Sequence, residues 1–345
     1  MTKNKIDRIP IEPEEDTLAQ VLNSMRISGS LLLKDKYTTP WAVSIPDSDT
    51  LNRVFETSRN VRIAAFHLVE SGRIKLRVDE EEDNKVIKRE SAKTISLEAG
   101  EIAVCFSGNS HILYEGNQQN VIPFQELLTK QSHDIQQSAF QQNLSQQNGK
   151  TSLVCGAFLL DDSFLNPLLA SLPKVLKFNL RKQNPRLLPI VKLLMEDFHT
   201  ATTSSGYVIP RYLELLCTDM VRGYVNSLPE QSKGWLSAIN DPVVGRAIDS
   251  IHHQPGHDWT VKKLADKVSI SPSRFAARFR DKLGESPMMY VARWRMHIAS
   301  QMMVSNQQSI EQIASVVGYE SLSAFSRAFK RHAGLPPATW RSQAR

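Results

Sequence analysis

Two histidines and a cysteine, His67, His111 and Cys155, lie on or beside segments that read as β-strands. Together they offer two imidazole nitrogens and one thiolate sulfur. With a fourth position left open, such a set suits zinc. The plainer alternative is that the histidines are hydrogen-bonded interior residues and Cys155 is an ordinary buried thiol. Cys105 and Cys155 are also candidates for redox sensing, which would need a lowered pKa that the sequence does not show. The three cysteines, Cys105, Cys155 and Cys217, are odd in number and far apart. That fits a reducing cytosol better than a disulfide framework.

A second kind of chemistry is written near the C-terminus. Phe275–Tyr290 reads FAARFRDKLGESPMMY, and Phe325–Trp340 reads FSRAFKRHAGLPPATW. Both follow the pattern F-x3-F-x4-G-x2-P-x2-aromatic. Each copy is preceded by a short apolar-periodic stretch, VKKLADKV in the first and SIEQIASVV in the second. Two short helices across a tight turn make a helix-turn-helix. Ser271 is a good N-cap, Pro272 fits the first helical position and Gly284 can close the helix. Ala265 and Ala314 are small where the paired helices must cross, and Gly318 suits a left-handed turn. Between the copies, MYVARWRMHIASQMMV reads as a longer connecting helix.

Helical spacing sorts the faces of the second helix in each copy. With Phe275 and Phe279 inward, Ser273 and Ala277 point away from the core, Arg274 lies near them and Arg278 lies on the flank. With Phe325 and Phe329 inward, Ser323, Ala324 and Arg327 point out, and Lys330 and Arg331 lie farther along. Small, hydroxyl and arginine side chains on one exposed face suit a DNA major groove. Flanking cations can neutralise phosphates. A generic helical bundle with surface arginines is the competing explanation, and two copies with matched aromatics and matched ends argue against it.

The elements that must carry these residues fall into two halves. The chain has 345 residues, enough for two domains with separate cores. Residues 241–345 hold 15 Lys and Arg against 8 Asp and Glu, whereas residues 1–240 hold 27 against 28. The whole basic excess therefore sits in the last third. That is the footprint of a polyanion-binding module or, equally on charge alone, of a surface kept soluble. Upstream, VRIAAFHLVESG, RIKLRVDE, KTISLEAG, EIAVCFSG, HILYEG and TSLVCGAFLL read as strands of an antiparallel sandwich or barrel. One helix, DTLAQVLNSM with Asp16 as N-cap, is predicted before them. Residues 117–150 contain ten glutamines and read as a solvated insertion, a loop or weak helix. Two helices follow, PRLLPIVKLLMEDFHT and PRYLELLCTDMVRGYVNSL, with Ile209, Leu213, Leu216, Met220 and Tyr224 on one face of the second. That face can pack on its own domain or on a second subunit. SLPEQSKG reads as a linker. The polar, acidic start is neither a signal nor a transit peptide, and no apolar run is long enough to span a membrane.

On the stretches LADKVSISPSRFAARFRDKLGESPMMYVARWRMHIA and IEQIASVVGYESLSAFSRAFKRHAGLPPATWR, the C-terminal hundred residues resemble the DNA-binding domain of the AraC/XylS family of bacterial transcription regulators. The resemblance implies two helix-turn-helix units joined by a linker helix, each placing one recognition helix in successive major grooves. Ala277 departs from it, because many members carry a polar or basic residue there. Base reading by the first helix would then rest more on Ser273 and Arg274. The N-terminal part is similar to the cupin-type sensor of a subgroup of that family, through FHLVESG, AGEIAVCFSGNSHILYEG and TSLVCGAFLLDDSFLNPLLASLPKVLKF. Gly100, Gly108 and His111 stand where the later cupin motif has them, with Phe106 where proline is common. The earlier motif is degraded: His67 is present without its usual histidine and glutamate companions. In a cupin barrel, positions such as His67, His111 and Cys155 can converge on the interior.

The expected molecule is an α+β protein of two domains. Residues 1–183 form a cupin-like antiparallel β-barrel with accessory helices, residues 184–240 a helical dimerisation or coupling region and linker, and residues 241–345 an all-α double helix-turn-helix domain. The expected function is a sequence-specific, DNA-binding transcription regulator whose cupin domain senses a small molecule, a metal or a redox signal. No catalytic residue is expected. The resemblance implies promoter DNA and RNA polymerase as partners, activation as the output with repression left open, an unidentified effector, a homodimer, and a cytoplasmic, nucleoid-associated location. The alternatives are a cupin metal-dependent oxygenase fused to a DNA-binding domain, and a nucleoid protein without sequence preference. The degraded first motif argues against the oxygenase, because the common cupin site uses three histidines and a carboxylate. The two well-formed recognition helices argue against the nucleoid protein.

Overall fold

Ile63 to Val69 form an unbroken buried run within strand β3 (Val61–Ser71). A strand covered on both faces reads as a continuous apolar stretch. In the computed structural model β3 lies at the middle of a sheet of order β1–β9–β3–β6–β10. The others span Ser28–Thr38 (β1), Lys150–Asp161 (β9), Glu101–Val104 (β6) and Leu176–Asn179 (β10). The structure describes residues 27–57, 61–78, 94–118, 120–133, 150–161, 167–200, 205–229, 232–305 and 308–344, together with helical positions 18 and 22. The expected helix capped by Asp16 lies largely outside these residues, as does much of the glutamine-rich insertion.

A second sheet has the order β5–β4–β7–β2–β8. Its strands span Thr94–Glu98 (β5), Arg73–Val78 (β4), His111–Glu115 (β7), Trp41–Ile45 (β2) and Val121–Pro123 (β8). Leu33, Ala65 and Leu153 of the first sheet share one core with Val43, Leu76 and Leu113 of the second. The expected barrel is therefore corrected to two separate sheets, and β8 runs parallel to β2. The reason lies at the sheet edges. β8 is three residues long and ends in Pro123, which has no N–H with which to continue a ladder. Instead of closing, the chain switches sheets at glycines. β3 passes to β4 at Gly72 (φ 78°), and β5 passes to β6 at Gly100 (φ 84°). A Cβ on Gly72 would lie 2.7 Å from the Lys150 carbonyl oxygen, so sterics as well as φ select glycine there. Short helices α1 (Ser48–Val54), α2 (Phe124–His133), α3 (Pro167–Ser171) and α4 (Leu180–Gln183) fill the connections.

Helices α5 (Leu187–Thr200) and α6 (Ser205–Asn226) belong to the same compact unit as the sheets, which ends at Leu228. Leu213 of α6 presses on Gly29 of β1, where a Cβ would lie 2.9 Å from the leucine side chain. Leu213, Leu216 and Met220 are buried as the spacing predicts, joined by Cys217, Val221 and Val225. Ile209 and Tyr224 are only half-buried.

The second unit runs from Pro229 to Gln343. It comprises α7 (Trp235–Ala238), α8 (Val244–His253), α9 (Val261–Lys267), α10 (Pro272–Leu283), α11 (Pro287–Ser305), α12 (Ile310–Val316), α13 (Leu322–Ala333) and α14 (Pro337–Ala344). The repeated letters are its scaffold. Phe275, Phe279, Phe325 and Phe329 are fully buried. The last aromatic of each pattern stands edge-on against the second phenylalanine, with Tyr290 on Phe279 at 5.7 Å and Trp340 on Phe329 at 5.8 Å. Gly284 and Gly334 end α10 and α13 at φ 76° and 73°. Thr260 caps α9, and Ser309 with Gln312 forms a capping box on α12. Tyr290 Oη also accepts from Trp235 Nε1–H and pairs with His252 Nε2, tying α7 and α8 to α11.

Arg295 of α11 joins the two helix-turn-helix units. Its Nε donates to the Pro255 carbonyl at 2.8 Å and its Nη2 to the His257 carbonyl at 2.8 Å, both just before α9. Its Nη1 donates to the Gly318 carbonyl at 3.2 Å, in the turn between α12 and α13. Gly318 has φ 82°, and a Cβ there would lie 2.6 Å from the Gly256 oxygen and 2.9 Å from the Arg295 guanidinium. In the first copy Ser269 holds the matching left-handed position at φ 57°. We therefore expect Gly318→Ala to lower stability by about 1–3 kcal/mol. Ser269→Gly should cost nothing or stabilise slightly, and denaturant melts of the two variants check the contrast.

Candidate nucleic-acid interface and histidine–cysteine centre

The outward faces of α10 and α13 fall where the helical spacing puts them. Ser273, Arg274 and Ala277 are exposed on α10. Ser323, Arg327, Lys330 and Arg331 are exposed on α13, and Ala324 is half-buried. Among the described residues, no carboxylate lies within ion-pair distance of Arg274, Arg327, Lys330 or Arg331. The N-terminal turns differ. Ser321 Oγ accepts from the Ala324 amide at 3.2 Å, whereas Ser271 occupies the N-cap position of α10 without a side-chain cap bond.

Arg278 is exposed but engaged. Its Nε and Nη2 donate to the two carboxylate oxygens of Asp241 at 3.1 and 2.9 Å. The same carboxylate accepts the amides of Val243 and Val244 at 3.0 Å each, where α8 begins. Burial alone would raise the Asp241 pKa, but the bonds from Arg278 and from the two amides outweigh it and hold the carboxyl below its ordinary value. The flank position expected to face phosphate is thus also a strut between α8 and α10. Nothing in the sequence marks this pairing, because 37 residues separate the partners.

The histidines and cysteines meet in the core of the N-terminal unit. On β3, His67 stands opposite Cys155 of β9 and opposite Ala103 of β6. His67 Nδ1 lies 3.1 Å from Cys155 Sγ, and His67 Nε2 lies 2.8 Å from Nε2 of His111, which β7 supplies from the other sheet. His111 Nδ1 lies 3.0 Å from the Asn109 carbonyl oxygen. A carbonyl only accepts, so His111 Nδ1 carries the proton and its Nε2 is an acceptor in the neutral ring. His67 Nε2 must then donate, and His67 Nδ1 accepts from the Cys155 thiol. Burial, with His111 close by, holds the His67 pKa well below its ordinary value. Burial pushes both the Cys105 and Cys155 thiols up to about 12, with Asp35 adding to the effect at Cys155. The lowered thiol pKa that redox sensing would need is not found at either residue.

The structure thus brings the three sequence candidates together and adds a fourth. Cys105, which follows β6, places its sulfur with His67 and His111 so that their ligand atoms lie within 4.8 Å of one another. Two-residue alternation from the inward Ala103 could have pointed to it. Cys105 and Cys155 lie on opposite sides of β3. Their backbones are therefore two strand spacings apart, roughly 9.5 Å, beyond the reach of a disulfide.

A basic double helix-turn-helix joined to a two-sheet domain with a buried histidine–cysteine core defines a DNA-binding transcription regulator with an N-terminal cupin domain. The comparisons agree. A family model described as cupin matches residues 16–226, and one described as a helix-turn-helix domain matches residues 264–343. The chain belongs to the AraC family of transcription regulators, in the branch that carries a cupin domain. It is 27% identical to the HTH-type transcriptional regulator AlkR of Acinetobacter baylyi over 339 residues, covering 95% of this chain and 99% of that one. An uncharacterised HTH-type regulator of Haemophilus influenzae is 25% identical, covering 94% and 98% of the two chains. The RCS-specific HTH-type transcriptional activator RclR of Escherichia coli is 28% identical, covering 72% of this chain and 87% of its own. All three are named as transcription regulators, not as oxygenases.

Asp241→Asn tests the strut. Because the folded-state carboxyl pKa is depressed, its contribution is full above the unfolded carboxylate value and is lost as pH falls through the folded one. The variant should lose about 2 kcal/mol at neutral pH. It should also show a smaller stability loss on acidification than wild type. Urea melts at pH 7 and near pH 3 check both statements.

Proposed function

We propose that α10 and α13 enter successive major grooves on one face of promoter DNA. Ser273, Arg274 and Ala277 would face base edges in one groove, and Ser323, Ala324 and Arg327 in the next. The observation that carries this reading is the pair of exposed faces, cationic and without carboxylate partners among the described residues, on helices with matched buried phenylalanines. Lys330 and Arg331 neutralise phosphates, and Arg278 does so only through Nη1, which stands outside its pairing with Asp241.

In this reading the cupin domain receives the signal and shifts the population of a DNA-competent arrangement. The effector is a small molecule, a metal or a redox agent. Activation through RNA polymerase is the output, and the protein works at the nucleoid in the cytoplasm without catalysing a reaction. A homodimer is supported by apolar residues left exposed on α5 and α6, namely Leu188, Leu193, Tyr207 and Leu215.

Arg327→Ala should weaken specific binding by about 10- to 100-fold and relax sequence preference at the bases it reads. Replacing Lys330 and Arg331 by alanine should weaken binding across sequences and reduce the salt slope by about one unit per residue. Footprinting and salt-titrated binding assays read both effects. Wild-type footprints in both variants would refute the assigned faces. Tyr207→Asp together with Leu215→Asp should convert the dimer to monomer in sedimentation.

A further inference from the structure

The core of the N-terminal unit holds two imidazoles and two thiols, yet its hydrogen-bonded chain accounts for only three of them. Cys155 S–H meets His67 Nδ1, His67 Nε2–H meets His111 Nε2, and His111 Nδ1–H meets the Asn109 carbonyl. The fourth group, Cys105, places its sulfur within 4.8 Å of a ring nitrogen of His67 and of one of His111. His67 Nδ1 meets Cys155 and His111 Nδ1 meets the Asn109 carbonyl, so the nitrogens left to share a point with Cys105 are the two Nε2 atoms.

We propose that His67 Nε2, His111 Nε2 and Cys105 Sγ form a binding site for a single soft divalent ion of the zinc class. The fourth position is left to an exogenous ligand, and Cys155 acts as the outer partner on His67 Nδ1. This replaces Cys155 with Cys105 as the sulfur ligand. His111 is already set for the role: its Nδ1–H bond to a backbone carbonyl fixes the ring with Nε2 toward the site, as metal-bound histidines require. Two Nε2 atoms on one tetrahedral ion stand about 3.3 Å apart. The observed 2.8 Å must therefore open by about half an ångström.

The proton count closes. Binding removes one proton from Cys105 and one from His67 Nε2, and both leave with solvent. His67 Nδ1 takes the proton of Cys155, which becomes a thiolate facing the new N–H. Two thiolates then balance the dication inside a buried site that holds two neutral imidazoles. A charge left unbalanced there would be costly. This gives Cys155 a reason to be present without being a ligand.

The proposal concerns the domain that the functional reading makes the sensor, but its test reads the metal and not DNA. The full-length chain, purified without chelator, is loaded with Co2+ and examined by absorption spectroscopy and metal analysis. Wild type should bind about one equivalent with tetrahedral ligand-field bands and a sulfur-to-cobalt charge-transfer band. Cys105→Ser should lose the charge-transfer band. Cys155→Ser should keep it while binding about 10- to 100-fold more weakly. In wild type, bound ion should protect Cys105 from alkylation mapped by mass spectrometry, which holds the test open if Cys105→Ser does not fold. Less than roughly a tenth of an equivalent in wild type would overturn the proposal. So would a band that survives Cys105→Ser and vanishes in Cys155→Ser. DNA binding measured on the same samples separates this outcome from a failure of the regulator reading.

Discussion

Two helix-turn-helix units can act together only if the joint between them is firm, and one guanidinium does much to fix it. Arg295 donates to carbonyls at the start of the first helix-turn-helix, at Pro255 and His257, and to one in the turn of the second, at Gly318. Successive major grooves on one DNA face lie about 34 Å apart. A chain that reads both, as proposed, cannot tolerate a loose joint between its halves. An arginine suits the joint because its planar fork offers several donors in fixed directions, which a lysine ammonium does not. Glycine at 318 lets the second turn approach closely enough to be held, since a Cβ would press on both the Gly256 oxygen and the Arg295 side chain.

The two copies share a scaffold but are not equivalent. At the position where α10 has Arg278, braced against Asp241, α13 has Ala328, which is buried. Ser321 caps its helix through a hydrogen bond, and Ser271 does not. Arg327 stands where the first copy has Ala277. The first unit is therefore held from its upstream side by an ion pair that ties the turn before α8 to α10, and the second by helix capping and apolar contact.

Much of this was legible in the order of residues. Phenylalanines four apart, followed by a glycine, a proline and an aromatic, mark the ends and inner face of a helix through local rules, and those rules hold at Gly284, Gly334, Tyr290 and Trp340. What the sequence hid depends on distant partners. Asp241 and Arg278 meet only once α8 and α10 are packed. The two-sheet arrangement in place of a closed barrel follows from where the chain changes sheets and how the edge strands end. Gly72, Gly100 and Pro123 take part in it, but their types alone do not say which sheet the next strand joins. His67, His111 and Cys155 were recognisable as a set because each is an unusual side chain on a strand. Cys105 was harder to place, since its relation to His67 comes from the register of β6 against β3.

The division between buried and exposed residues on α13 also shapes how such a protein changes over generations. Phe325, Ala328 and Phe329 are locked by the core, so most replacements there damage folding. Ser323 and Arg327 face solvent, where substitutions usually shift stability by less than about half a kilocalorie per mole. If that face reads DNA as proposed, drift on it is filtered chiefly by which operator is bound. On the proposed reading, a lineage can then retarget its promoters in single steps while its fold stays under separate, stricter selection.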